Sequence, residues 1–157
     1  MITAEERFAI YDLYADYANR LDDFRLDAWL ELFIEDCLYR IVPRENYAAN
    51  LPLSLVLCDS KDMLRDRVVA LQQANEYNIH TDRHLISSIK VKRRDAGSVF
   101  VDASFAVFQV NTEGEASLFA VGAYQDEIVF VNGEARFKSK TVIMDNSCVP
   151  HAISTPL

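Results

Sequence analysis

Glycine and proline are scarce in this chain, with four of each among 157 residues. That scarcity excludes Pro/Gly-rich linkers, and with no low-complexity segment or internal repeat in view, residues 1–157 read as one domain. Cysteine is scarcer still. Cys37, Cys58 and Cys148 are odd in number and far apart, which suits reduced thiols buried as small hydrophobes better than a disulfide framework. Positive charge is in deficit: 16 lysines and arginines stand against 24 aspartates and glutamates, for a formal net charge of −8, and the basic residues never form a long run. Nucleic acid is therefore not an expected partner. No stretch approaches the ~18 consecutive apolar residues of a membrane span. The start Met1-Ile2-Thr3-Ala4-Glu5-Glu6 lacks the basic and apolar regions of a signal peptide, so the expectation is a soluble, cytoplasmic protein with no membrane partner.

Hydrophobic residues make up 50% of the chain, enough for a sizeable core, and their spacing puts helices first and sheet second. Thr3 and Glu6 form a capping-box pattern, and Ile10, Tyr14, Tyr17, Ala18 and Leu21 then recur at helical spacing, predicting a helix over Thr3 to Asp22. A short second helix carries Leu26, Trp29, Leu30 and Phe33 on one face, with Asp27 in its first turn. Cys37 to Val42 reads as a strand ended by Pro43, and the polar segment Arg44 to Asn50 as a loop. After the apolar run Leu53 to Leu57, Ser60 caps a third helix with Met63, Leu64, Val68 and Leu71 on its buried side. Four strands follow: Leu85 to Lys92, Ser98 to Val110, Glu115 to Val131 and Glu134 to Met144. Asn132-Gly133 joins the last two as a hairpin, because both positions of a type I′ turn need positive φ. The run around Phe105 to Phe108 is apolar on both faces, which predicts a curved sheet covered on its concave side by the early helices, an α+β fold.

Helices followed by a long, curved, mostly antiparallel sheet resemble the cone-shaped nuclear-transport-factor-like fold, which serves isomerases, dehydratases, transport factors and structural subunits alike. Tyr17-Ala18 with Leu21-Asp22, then Trp29, Leu32-Phe33, Asp36 and Tyr39, stand near the start. Asp59 with Met63-Leu64 and Arg67-Val68 comes next, followed by Arg83-His84-Leu85-Ile86-Ser87. Phe119 with Gly122-Ala123-Tyr124, then Lys140 to Asp145, and the closing Thr155-Pro156-Leu157 complete the series. In this order and coverage, rather than in any single piece, the chain resembles the small (beta) subunits of Rieske non-haem iron aromatic-ring-hydroxylating dioxygenases. Arg44-Glu45-Asn46, Asp59 to Leu64, Ala70-Leu71-Gln72 and Ala74-Asn75 are similar to the branch acting on benzoate-type acids, terephthalate among them. The resemblance implies a non-catalytic assembly subunit, forming the trimeric base of a three-plus-three hexamer with a large (alpha) subunit. It places the Rieske two-iron two-sulfur cluster and the mononuclear iron on that partner, and no cofactor on this chain.

The residues themselves offer three tests of independent chemistry. A Rieske cluster needs two thiolates and two imidazoles. Cys148-Val149-Pro150-His151 looks like half of one, but the residues two beyond Cys37, Cys58 and Cys148 are Tyr39, Ser60 and Pro150, so the Cys-x-His half is missing. Glu76, His80 and His84 at i, i+4, i+8 would offer a mononuclear iron ligand set on a helix. On a strand, His80 and His84 would stand about 13 Å apart and share no metal. The alternating Ile89-Lys90-Val91-Lys92 favours the strand, with His84 hydrogen-bonded inside and His80 exposed. Asp22, Tyr39 and His84 would line the open end of a cone, as the acid and base groups of a standalone isomerase or dehydratase. The alternative is that Asp22 caps the first interhelical turn while Tyr39 and His84 hydrogen-bond inside a cone filled by Phe105, Phe108, Phe119 and Phe137. Asp59 and Arg67 are candidates either for an intersubunit contact or for a brace within the chain. Trp29, Arg83, His84 and the tail Val149 to Leu157 are further candidates for structural or interface roles.

Overall fold

The structure, a computed structural model, describes residues 1–74, 79–146 and 155–157. Helix α1 spans Ala4–Asp22 and begins with the expected capping box: Glu6 N donates to Thr3 Oγ1 at 3.1 Å, and Thr3 N donates to Glu6 Oε2 at 2.9 Å. It buries Ile10, Leu13, Tyr14, Tyr17, Ala18 and Leu21, the stripe that 3.6-residue periodicity demands. Its end is closed by backbone alone. Phe24 adopts a left-handed conformation (φ 56), so that Arg25 N reaches Arg20 O at 2.8 Å and Phe24 N reaches Leu21 O at 3.0 Å, the paired bonds of a Schellman turn. The turn thus leaves the Asp22 carboxylate free of capping duty.

Helix α2, Leu26–Leu30, buries Leu26, Trp29 and Leu30. Phe33, expected on this helix, instead opens strand β1, Phe33–Pro43; the helix is too short to carry a second turn. Arg44–Ala48 forms a helix, α3, where a loop is expected. Because α3 buries none of its residues, it leaves no hydrophobic period to read. Strand β2, Val56–Cys58, and helix α4, Lys61–Ala74, follow. On α4 the buried stripe is Leu64, Val68 and Leu71; Met63, expected beside them, is 41% exposed, one position around the helix. Strands β3 (Thr81–Asp95), β4 (Ser98–Val110), β5 (Ala116–Val131) and β6 (Glu134–Met144) complete the regular elements among the described residues.

The six strands form one sheet in the order β2-β1-β6-β5-β4-β3. All neighbours pair antiparallel except β1 and β6, which run parallel with Tyr39 opposite Lys140. Asn132 (φ 52) and Gly133 (φ 84) make the expected positive-φ turn between β5 and β6. Register shifts on β3, between Val107 and Phe108, and between Glu127 and Ile128 bend the sheet. Gly122 permits its tightest approach, since a Cβ there would lie 1.9 Å from the Ile143 carbonyl oxygen. Helix α1 packs across β3 and β6, while α4 packs on β1 and α2, so the concave face is roofed by helices. Phe105, Phe119 and Phe137 are buried beneath that roof, and Phe108 is half-buried. Among the described residues no helix is long and apolar enough to cross a membrane.

Candidate functional site

Asp22 is the last residue of α1, and α1 crosses β3, so its carboxylate meets the strand backbone directly. His84 N donates to both carboxylate oxygens, at 3.1 and 3.0 Å, and His84 Nδ1 lies 2.6 Å from Asp22 Oδ1. Both side chains are enclosed, at 0% exposure for His84 and 4% for Asp22. Arg83, 62% exposed, approaches the same carboxylate at 3.8 Å from outside. Asp22 therefore ties α1 to β3 instead of capping the interhelical turn.

The other side of the imidazole faces the chain's own tail. His84 Nε2 is 3.3 Å from the carbonyl oxygen of Pro156. Leu157 is fully buried in the core, where its oxygen accepts from Tyr17 Oη at 2.6 Å and from Tyr39 Oη at 3.4 Å, and its N–H donates to Tyr39 Oη at 3.0 Å. The structure thus sets Asp22 against His84 and brings His84 and Tyr39 onto consecutive tail residues, Pro156 and Leu157. What space remains beside the tail is a cavity of about 10 Å³ lined by Trp29, Tyr39, Leu64, Val68, Thr155 and Pro156. A single water needs roughly that much room, so no aromatic substrate fits.

Deeper in the cone lies a polar cluster that sequence reading missed. Lys140 and Asp126 stand opposite each other on β6 and β5 and form an ion pair at 2.9 Å with both side chains fully buried. Tyr14 Oη donates to the same Asp126 oxygen at 2.6 Å. The ammonium sits 3.5 Å from the Tyr124 ring centre and within 4.3 to 5.0 Å of the Tyr17, Phe137 and Tyr14 ring centres, so its charge is met by π faces as well as by the carboxylate. Burial pushes both partners toward their neutral forms: it lowers Lys140 to about 8 against the pull of Asp126, and raises Asp126 against the pull of Lys140. Burial likewise raises Tyr14, Tyr17 and Tyr124 well above the usual phenol value and Tyr39 to about 12. The signal was present in the alternation, since Asp126 falls in phase with Tyr124 and Ile128, and Lys140 with Val142 and Met144.

The remaining candidates separate. Trp29 is 1% exposed and packs edge-on against Phe33 and Tyr39, which places it in the core of this chain. Asp59 and Arg67 are both exposed, and no ion pair joins them. His80, expected to be exposed, has only 14% of its side chain exposed and lies 3.4 Å from Asp82, because β3 begins at Thr81 and sets that carboxylate beside it. His80 and His84 therefore face different carboxylates; Glu76, Cys148 and His151 lie outside the described residues. Among the described residues no group of three or more His, Cys, Asp or Glu side chains is placed to hold a metal ion, and Cys37 and Cys58 are buried thiols.

Residues 17–151 match the family model of the ring hydroxylating beta subunit. The chain belongs to that family. It is 40% identical over 150 residues to the anthranilate 1,2-dioxygenase small subunit of Burkholderia cepacia, covering 96% of this chain and 93% of that one. It is 32% identical to the terephthalate 1,2-dioxygenase terminal oxygenase component subunit beta 1 of a Comamonas species, covering 91% and 93%. A crystal structure from Novosphingobium aromaticivorans, described as the beta subunit of an aromatic-ring-hydroxylating dioxygenase, superposes with a TM-score of 0.86 at 41% identity, covering 95% of each chain. The beta subunit of the benzoate 1,2-dioxygenase of Burkholderia mallei shares the fold, with a TM-score of 0.80 over 99% of each chain at 18% identity.

Proposed function

We propose that this chain is the non-catalytic assembly subunit of an aromatic-ring-hydroxylating dioxygenase. Its partner large subunit would carry the Rieske cluster and the mononuclear iron. The observation that carries the reading is the occupied cone: the acid–base pair Asp22–His84 is present, but the tail and four phenols fill the space that a substrate would need. Family membership supplies the partner, because a small subunit implies a large one. The complex would add both atoms of dioxygen to an aromatic ring bearing a carboxylate, with electrons drawn from a nicotinamide cofactor through a reductase. The names of the anthranilate and terephthalate relatives support that substrate class. One domain over residues 1–157, a three-plus-three hexamer with this chain as trimeric base, and a cytoplasmic location belong to the same proposal.

Asp22→Asn tests the division of labour. It keeps the size of the side chain and one acceptor for His84 N while removing the carboxylate. Co-expressed with the large subunit, the variant should assemble less stably but give the same turnover per assembled complex. Loss of turnover with assembly unchanged, or turnover of an aromatic substrate by the isolated chain, would put chemistry on Asp22 and His84.

A further inference from the structure

The seat of Leu157 has the construction of a binding site. Its two backbone polar groups are held by phenols from different elements, Tyr17 on α1 and Tyr39 on β1, and its side chain is fully enclosed. Neither phenol depends on the tail for its position. Tyr17 is packed edge-on by Tyr124, Phe137 and His84, and Tyr39 by Trp29 and Phe33, while β1 is fixed by pairing with β2 and β6. The site also holds more donors than the tail uses. Trp29 lines the cavity roofed by Thr155 and Pro156, and among the described residues its buried indole N–H has no hydrogen-bond partner. Buried donors ordinarily find an acceptor, so the indole N–H facing this cavity is a group that a ligand oxygen would satisfy.

We propose that Thr155–Leu157 occupy a ligand site built into the cone, and that vacating the Leu157 seat lets it bind a small molecule with a branched or aromatic apolar body and a carbonyl or carboxylate oxygen. The apolar body replaces the leucine side chain. The oxygen replaces Leu157 O between the Tyr17 and Tyr39 hydroxyls, with the Trp29 N–H in reach of the same cavity. While the tail is seated it competes as a tethered occupant, at an effective concentration on the order of millimolar or higher, so the intact chain is closed to such ligands. The inference does not depend on the assembly reading.

The test uses the full chain with Leu157→Gly, alongside the milder Leu157→Ala, which decides the matter should the glycine variant fail to fold. The probes are 4-methylpentanoate and 4-methylpentanamide, titrated by isothermal calorimetry and by two-dimensional NMR. The expected result is saturable binding at least tenfold tighter than to the unsubstituted chain, reduced at least tenfold when Tyr17→Phe is added. Preference for the acid identifies a carboxylate site, and equal or better binding of the amide a neutral carbonyl site. Three outcomes overturn the proposal: no binding to a folded variant, equal binding to the unsubstituted chain, or binding indifferent to Tyr17→Phe.

Discussion

Replacing Lys140 by methionine keeps an unbranched reach of four atoms among the Tyr14, Tyr17, Tyr124 and Phe137 rings but deletes the ammonium that Asp126 faces at 2.9 Å. The carboxylate would then stay buried with only the Tyr14 hydroxyl at 2.6 Å. Breaking a buried pair from one side costs about 3–5 kcal/mol, because the surviving charge remains desolvated. Total stabilities run about 5–15 kcal/mol, so the loss is a large share, and for a chain of this size it lowers Tm by roughly 6–20 °C. Removing both partners should be milder: Lys140→Met with Asp126→Leu leaves no unpaired charge and costs chiefly the orphaned Tyr14 hydroxyl, about 1–3 kcal/mol. In the single variant the Asp126 pKa, already raised by burial, rises further. A folded-state pKa above the unfolded value makes the variant gain stability as pH falls toward 4, opposite to ordinary acid denaturation. Urea unfolding at pH 7 and pH 5, read by circular dichroism on both singles and the double, measures all of this. A coupling energy under about 1 kcal/mol, with additive single costs, would refute the pairing argument.

Other outcomes follow from the same burial. The phenols of Tyr14, Tyr17, Tyr39 and Tyr124 are raised in the fold, so they ionise first in the unfolded chain; their contribution is intact below pH 10 and falls above it by about 1.4 kcal/mol per phenol per pH unit. Alkaline unfolding should therefore be steep, with phenolate absorbance and far-UV dichroism changing together; ionisation of all seven tyrosines while the fold persists would contradict this. Burial lifts the Cys37 thiol to about 11 and raises Cys58 as well, so at pH 8 a disulfide reagent should modify Cys37 on the order of 100-fold more slowly in native protein than in urea, and Cys58 more slowly too, by peptide mapping. Phe24 holds φ 56 with its ring 38% exposed, so Phe24→Gly should stabilise by about 1 kcal/mol and raise Tm by about 2–4 °C; a lower Tm would show that the ring's packing outweighs the backbone strain.

How much of this was legible in the sequence depended on whether a residue's role was local. The α1 cap, the Asn132-Gly133 turn and the strands β4, β5 and β6 were readable because capping, positive φ and alternation act over a few residues. Strand β3 was read four residues late, since its inward positions at the start are Asp82 and His84, polar residues that break the apolar alternation. The α3 helix buries nothing and so left no period. At the site, Asp22, Tyr39 and His84 could be named as candidates from the sequence, yet no local signal announced that Leu157, 140 residues from Tyr17, would bond Tyr39 beside them. The Lys140–Asp126 pair was visible as two charges in phase with apolar neighbours, a pattern that stands out only once both strands are paired. Parallel pairing of β1 with β6 was likewise invisible, being set by the path of the whole chain around α4.

The division between assembly and chemistry is tested most directly by native mass spectrometry of the chain co-expressed with its large subunit, with iron counted in each separated species. The account predicts equal numbers of the two subunits, three of each, with all iron retained by the large subunit and none by this chain. A chain that stays apart from the large subunit, or that carries iron when released from it, would contradict the account.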